Sequence, residues 1–191
     1  KEFLFIFDHA YLLHDFLPSA EQTPAWELAN KFDAQDQTAI FCSFSKVTFG
    51  GGGLSFAAAG TKLFDLLSKQ RASMIVCSDK VNQLRHLGFL KNKTEVENHM
   101  KKHADLVRPK FEVAFNALDA MSPDIGNYKK PTGGYFISFN ATKPIAKRVI
   151  ELCKEAGVLI TPAGSTYPHF HDPQDSNIRL APTFLGLDDL K

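Results

Sequence analysis

The sequence predicts an α/β fold: an open sheet of short buried strands flanked by helices, followed by a smaller α+β part. Two apolar runs carry the first half of that expectation. Phe3-Leu4-Phe5-Ile6-Phe7 and Ala39-Ile40-Phe41 are continuous rather than alternating, the pattern of strands buried on both faces. Helix-like segments separate and follow them. From Gly133 onward the pattern changes to strands around one amphipathic helix.

In chain order, the first strand ends at Asp8. Turn formers follow at Pro18-Ser19-Ala20-Glu21, and Pro24 is placed to open a short helix over residues 25–32. After the strand ending at Phe41 comes a glycine-rich loop. Residues 57–70 read as a helix, with Ala58, Leu63, Leu66 and Leu67 at helical spacing, residues 73–77 as a strand, and 81–87 as a helix stopped by Gly88. Residues 94–106 read as a helix capped by Thr94, with Glu97 as the partner three residues on. Pro109 either kinks one long helix or opens a second, and the domain boundary is set there: 1–108 and 109–191. His99 and His103, four apart, have a metal-compatible spacing without a third ligand nearby, and read as solvated residues on a helix face. Residues 111–121 continue helically and 122–131 form a loop. Strands follow at 135–139, 158–161 and 178–182. The helix at 144–156 presents Ile145, Val149, Leu152 and Ala156 on one face and stops at Gly157.

Composition narrows the function classes. The 191 residues are 44% hydrophobic with a net charge of +1, which gives no reason to expect nucleic acid or an anionic membrane as a partner of this portion. No apolar run approaches the roughly 20 residues of a membrane span. Three widely spaced cysteines, Cys42, Cys77 and Cys153, read as reduced, in a cytoplasmic protein. A two-sided strand needs other strands and helices around it, and this chain opens on one without an initiator methionine. The expectation is therefore the C-terminal portion of a longer polypeptide.

The chemistry gathers at two strand ends. Cys42-Ser43-Phe44-Ser45-Lys46 follows the second buried run and leads into Gly50 to Gly53. Burial disfavours the ammonium form of a lysine, and the neutral amine can form a Schiff base with a carbonyl. Ser43, Ser45 and the loop amides could hold a phosphate. The same residues also fit an exposed lysine at a strand end with a glycine turn behind it. At the end of the first strand stand Asp8 and Tyr11, where open α/β sheets bind their ligands; Asp8 also fits a simple turn cap.

Asp8-x-x-Tyr11 followed by Ser43-x-Ser45-Lys46 and its glycine loop resembles the core of fold-type I aminotransferases dependent on pyridoxal 5'-phosphate (PLP). Pro131-Thr132-Gly133-Gly134-Tyr135-Phe136 resembles the entry to that family's small domain. Gly157 to Gly164 and Asn177-Ile178-Arg179-Leu180 resemble its closing strands and carboxylate-binding arginine. The resemblance implies a doubly wound, mostly parallel large-domain sheet, of which residues 1–108 are the C-terminal part, and a small α+β domain at 109–191. It implies Lys46 as Schiff-base lysine, Asp8 on the pyridinium nitrogen, Tyr11 on the ring's 3-oxygen, and Ser43, Ser45 and Ser55 as phosphate hydroxyls. Arg179 is then the clamp for the substrate α-carboxylate. It further implies amino acid and 2-oxo acid substrates and a homodimer. Where many members carry a phosphate arginine after the lysine, this chain has Leu54-Ser55, which resembles an aspartate aminotransferase subgroup related to MocR-type proteins. That relation leaves a second function open, the PLP-binding effector domain of a MocR-type transcriptional regulator. The S-x-x-K reading of Ser43 to Lys46 lacks its companion motifs, and a P-loop would place its glycines before the lysine.

Overall fold

The computed structural model describes residues 3–17 and 24–190; the turn expected at Pro18-Ser19-Ala20-Glu21 lies outside them. Compactness divides the chain into two units, Lys1–His103 and Ala104–Lys191.

The first unit is built on a three-stranded sheet in the order β1-β2-β3: β1 (Phe5–His9), β2 (Thr38–Ser43) and β3 (Ser55–Ala59). β1 and β2 run parallel, so their carboxyl ends emerge on the same side; β3 returns antiparallel to β2. Helix α1 (Ala25–Lys31) starts directly after Pro24 and buries Ala25 and Ala29. Helix α2 (Thr61–Met74) follows β3, and α3 (Lys80–Leu90) is capped by Asp79, whose side chain accepts the Asn82 N–H. Helix α4 (Lys93–Asp119) is one continuous helix that contains Pro109. Its cap is Asn92, which accepts the Glu95 N–H at 3.0 Å, rather than Thr94.

Four further expectations are corrected in this unit. Residues 55–59 are a strand, because register pairing with β2 (Phe41 opposite Ala57) overrides the helix preference of three alanines. Residues 73–77 form no strand; α2 runs to Met74, and Val76 is 99% exposed. A short apolar run alone does not separate strand from helix. Gly88 sits inside α3, where a β-carbon would meet nothing within 4 Å. β1 is not buried on both faces: Ile6 is 68% exposed, on a strand that, among the described residues, has a neighbour on one side.

The second unit holds an antiparallel sheet of β4 (Gly126–Tyr128), β5 (Ile137–Ala141) and β6 (Asn177–Leu180), in that order. Helix α5 (Ala146–Glu155) supplies Ala146 to a core with Phe139, Ala141 and Ile178, against which Val149, Ile160 and Leu180 pack. Gly157, at φ +85°, ends this helix in the left-handed region, as the sequence predicts. Residues 158–161 are not a strand: Ile160 is held by the core while Leu159 is exposed. A short helix, α6 (Leu187–Leu190), follows β6. No described helix is long and apolar enough to cross a membrane.

Candidate active site

Two adjacent parallel strands bring Asp8, Tyr11, Ser43 and Lys46 to or just past their neighbouring carboxyl ends. Asp8 lies near the end of β1, opposite Phe41 of β2. One of its carboxylate oxygens accepts the Ala10 N–H at 3.1 Å, and the chain then turns, with the His14 N–H donating to the Tyr11 carbonyl at 3.0 Å. The segment after β1 is this turn rather than a helix. β2 ends at Ser43, and the Phe44 N–H to Leu54 carbonyl bond closes the neck of the loop. Within the loop the N–H groups of Val47 and Thr48 both donate to the Phe44 carbonyl, at 3.0 and 2.9 Å. That tight turn carries Lys46, whose Nζ stands over the Tyr11 ring, 4.8 Å from its centroid. A cation so placed is attracted by the negative face of the ring. The amine and the phenol, distant in sequence, are therefore neighbours.

The serines separate. Ser43 and Ser55 are directly opposite each other in the β2–β3 ladder, on the sheet face that also carries Asp8 and Phe41. Ser45 instead packs against the glycine loop. A β-carbon on Gly53 would come within 2.5 Å of the Ser45 backbone, so the loop closes this tightly only with glycine there. Gly51, at φ +76°, supplies the left-handed turn.

Imidazoles line the other side of the lysine turn. His14, 3% exposed, lies within hydrogen-bond distance of the Lys46 carbonyl (3.1 Å, Nε2), and its ring meets those of Tyr11 and His103. His99 reaches the Val47 carbonyl (2.7 Å, Nε2), and His86 the Thr48 hydroxyl (2.9 Å, Nε2). His99, facing the loop, and His103, against the His14 ring, are thus half-buried groups rather than solvated ones. Burial holds His14 below the ordinary imidazole pKa, against the raising effect of its bond to the Lys46 carbonyl. Burial also lowers His103, helped by His14 and His99 beside it. Lone histidines in sequence give no sign of this. Among the described residues, no three His, Cys, Asp or Glu side chains are placed to hold a metal ion.

Arg179 belongs to the second unit. It lies on β6 opposite Ser138, with Ile178 and Leu180 turned to the core and the guanidinium on the other face. Its Nε and Nη2 both donate to the Thr161 hydroxyl at 3.3 Å, and it stacks 4.5 Å from the Phe136 centroid. Next along this face, Asn177 donates to Ser138 and Asn140 and accepts from Thr166. The buried Asp172 receives the N–H groups of Gln174, Ser176 and Asn177, which hold its carboxyl below the usual carboxylate range and anchor the start of β6.

The sequence profile of the aspartate amino-transferase family matches residues 1–191. A Mycolicibacterium smegmatis chain described as a candidate aminotransferase is 36% identical over 194 residues, covering all of this chain and 45% of its own length. The crystal structure of an aspartate transaminase from Corynebacterium glutamicum superposes with a TM-score of 0.91 at 32% identity, over 99% of this chain and 45% of that one. The HTH-type transcriptional regulator NorG of Staphylococcus aureus is 24% identical over 174 residues, 90% of this chain and 37% of its own. This chain spans about half the length of the curated aminotransferases it matches. Their agreement in sequence and fold along its whole length makes it a member of the aspartate amino-transferase family.

Proposed function

We propose that this chain carries the lysine-bearing part of a PLP-dependent aminotransferase site, which moves an amino group between an amino acid and a 2-oxo acid. The observation that carries the reading is the approach of Lys46 Nζ to Tyr11 at the carboxyl ends of β1 and β2. The donor set fits the cofactor. A carboxylate, a phenol, a primary amine and two paired hydroxyls stand at or beside those strand ends, and the loop's glycines bring backbone amides with them. When bound, PLP supplies the electron sink that stabilises negative charge at the substrate α-carbon.

The chain's own groups divide the remaining work. Lys46 is the attachment amine and, once released by substrate, the base that moves a proton at the α-carbon. Asp8, one of whose oxygens accepts the Ala10 N–H, would hold a protonated ring nitrogen, and Tyr11 would hold the ring's 3-oxygen. Ser43 is the first phosphate hydroxyl, with Ser55 across the ladder and Ser45 against Gly53. Arg179, steadied by Thr161 and Phe136, is the α-carboxylate clamp. The boundary between large and small domains is set at Pro109. The full protein is read as a cytoplasmic homodimer, with aspartate a donor to test first.

Borohydride reduction of the full protein loaded with PLP should fix the cofactor on the peptide containing Lys46, and Lys46→Ala should abolish turnover. Label on another lysine would overturn the reading. The match to NorG favours a second reading, an effector domain that binds PLP and amino acid without transfer. Assaying labelled amino-group transfer to a 2-oxo acid separates the two.

A further inference from the structure

Three imidazoles from three separate elements engage three consecutive residues of the lysine turn. His14, from the turn after β1, meets the Lys46 carbonyl; His99, from α4, meets the Val47 carbonyl; His86, from α3, meets the Thr48 hydroxyl. We propose that this histidine cradle sets the position of Lys46, with His14 as its principal positioning residue because the same ring also packs against Tyr11. The inference rests on the reading of Lys46 as the attachment amine.

The hydrogen-bond chemistry is specific. A carbonyl only accepts, so His14 and His99 must each donate from Nε2–H. A lysine or arginine in either place would add a cation beside the Lys46 amine; a neutral imidazole does not. The lowered proton affinity of buried His14 keeps the cradle neutral next to Lys46. His86 is turned the other way: its Nδ1–H donates to the Asn82 carbonyl at 2.9 Å, which leaves Nε2 facing Thr48. The Thr48 hydroxyl also lies 3.0 Å from the Phe44 carbonyl and has one hydrogen to give. Asn82 in turn donates its side-chain amide to the Gly52 carbonyl at 2.7 Å, so α3 holds both the lysine turn and the glycine loop. Within the loop the turn is secured by its own backbone, and these side-chain hydrogen bonds tie it to the segment after β1, to α3 and to α4, beside the ring contacts of Lys46 with Tyr11 and of Phe49 with His86 and Arg85.

The experiment compares His14→Leu, which removes the donor, with His14→Gln, whose amide nitrogen replaces the Nε2–H; His99→Leu and His99→Gln form the second pair. Amide hydrogen exchange of the cofactor-free full protein should quicken over residues 44–49 in each leucine variant and return toward wild type in each glutamine variant. In the loaded protein the leucine variants should lose roughly ten- to a hundredfold in kcat with little change in KM, as expected when a reacting group is misplaced by about an ångström. The glutamine variants should recover most of that. The pH at which the cofactor absorbance changes should shift with leucine and be restored by glutamine. If His14→Leu fails to fold, the half-buried His99 pair decides the matter alone. Exchange, kcat and absorbance unchanged in the leucine variants would overturn the cradle, even where borohydride still labels Lys46. Label on another lysine would instead overturn the functional reading and leave the exchange result to be judged by itself.

Discussion

At the scale of the residue, burial gives His14 a second measurable consequence. Its folded-state pKa lies below the ordinary value of 6.5, chiefly through desolvation, and His103 is lowered with it. The groups facing His14 are Lys46, whose charge opposes protonation, Asp15, which favours it, and His103. The sign follows from proton linkage. Below 6.5 the unfolded chain takes up protons that the folded imidazoles refuse, so stability present above that value is lost as pH falls through the lowered pKa values. Thermal melts of the full protein should show Tm falling between about pH 7.5 and pH 5.5, and less steeply in His14→Gln. An equal pH dependence in both would assign the loss to other groups. His14 was not legible in sequence, because a lone histidine reads the same whether its ring faces water or a carbonyl; the His99–His103 spacing was visible, but not what either ring meets. Asp8, Tyr11 and Lys46 stand out in sequence because they follow apolar runs that read as strands, and both runs do carry strands, although β1 is largely exposed.

Among the elements, β6 shows how strand alternation separates a core face from a polar one. Ile178 and Leu180 turn to the core and Arg179 turns away, where Thr161 and Phe136 hold the guanidinium in one orientation. Arg179→Leu should remove a charge-assisted carboxylate contact worth roughly 1.5–3 kcal/mol. The preference for an amino acid over its decarboxylated amine should then drop about ten- to a hundredfold. An unchanged preference would place the clamp elsewhere. The strands that carry Asp8, Ser43 and Arg179 were readable from the sequence, the first two as short continuous apolar runs and the last from its alternation. β3 was not, because alanines favour a helix unless a neighbouring strand supplies the ladder, and that partner lies across the glycine loop. The supposed strand at 158–161 failed for the opposite reason: its apolar residues serve a core contact at Ile160 without pairing.

For the whole molecule, the division into two units and the family membership account for an α/β part ending in the lysine loop and α3, and an antiparallel part around α5. The fold class was legible because the apolar pattern changes near Gly133, from continuous runs to strands around one amphipathic helix, and the two units do carry different sheets, one with a parallel pair and one antiparallel throughout. The sheet of the first unit has another property. Its strand order leaves β1 with one edge open, and Phe3, Leu4 and Ile6 stand exposed along or beside it. An open edge with apolar side chains is a template for another strand. The 191-residue chain made by itself should therefore be a poor candidate for concentrated solution work. Light scattering should show it growing in size with concentration, and Ile6→Lys should suppress the growth; a monodisperse monomer across the concentration range would contradict this. In practical terms, purification yield becomes a structural readout: any neighbour that covers β1 would also act as a solubility tag.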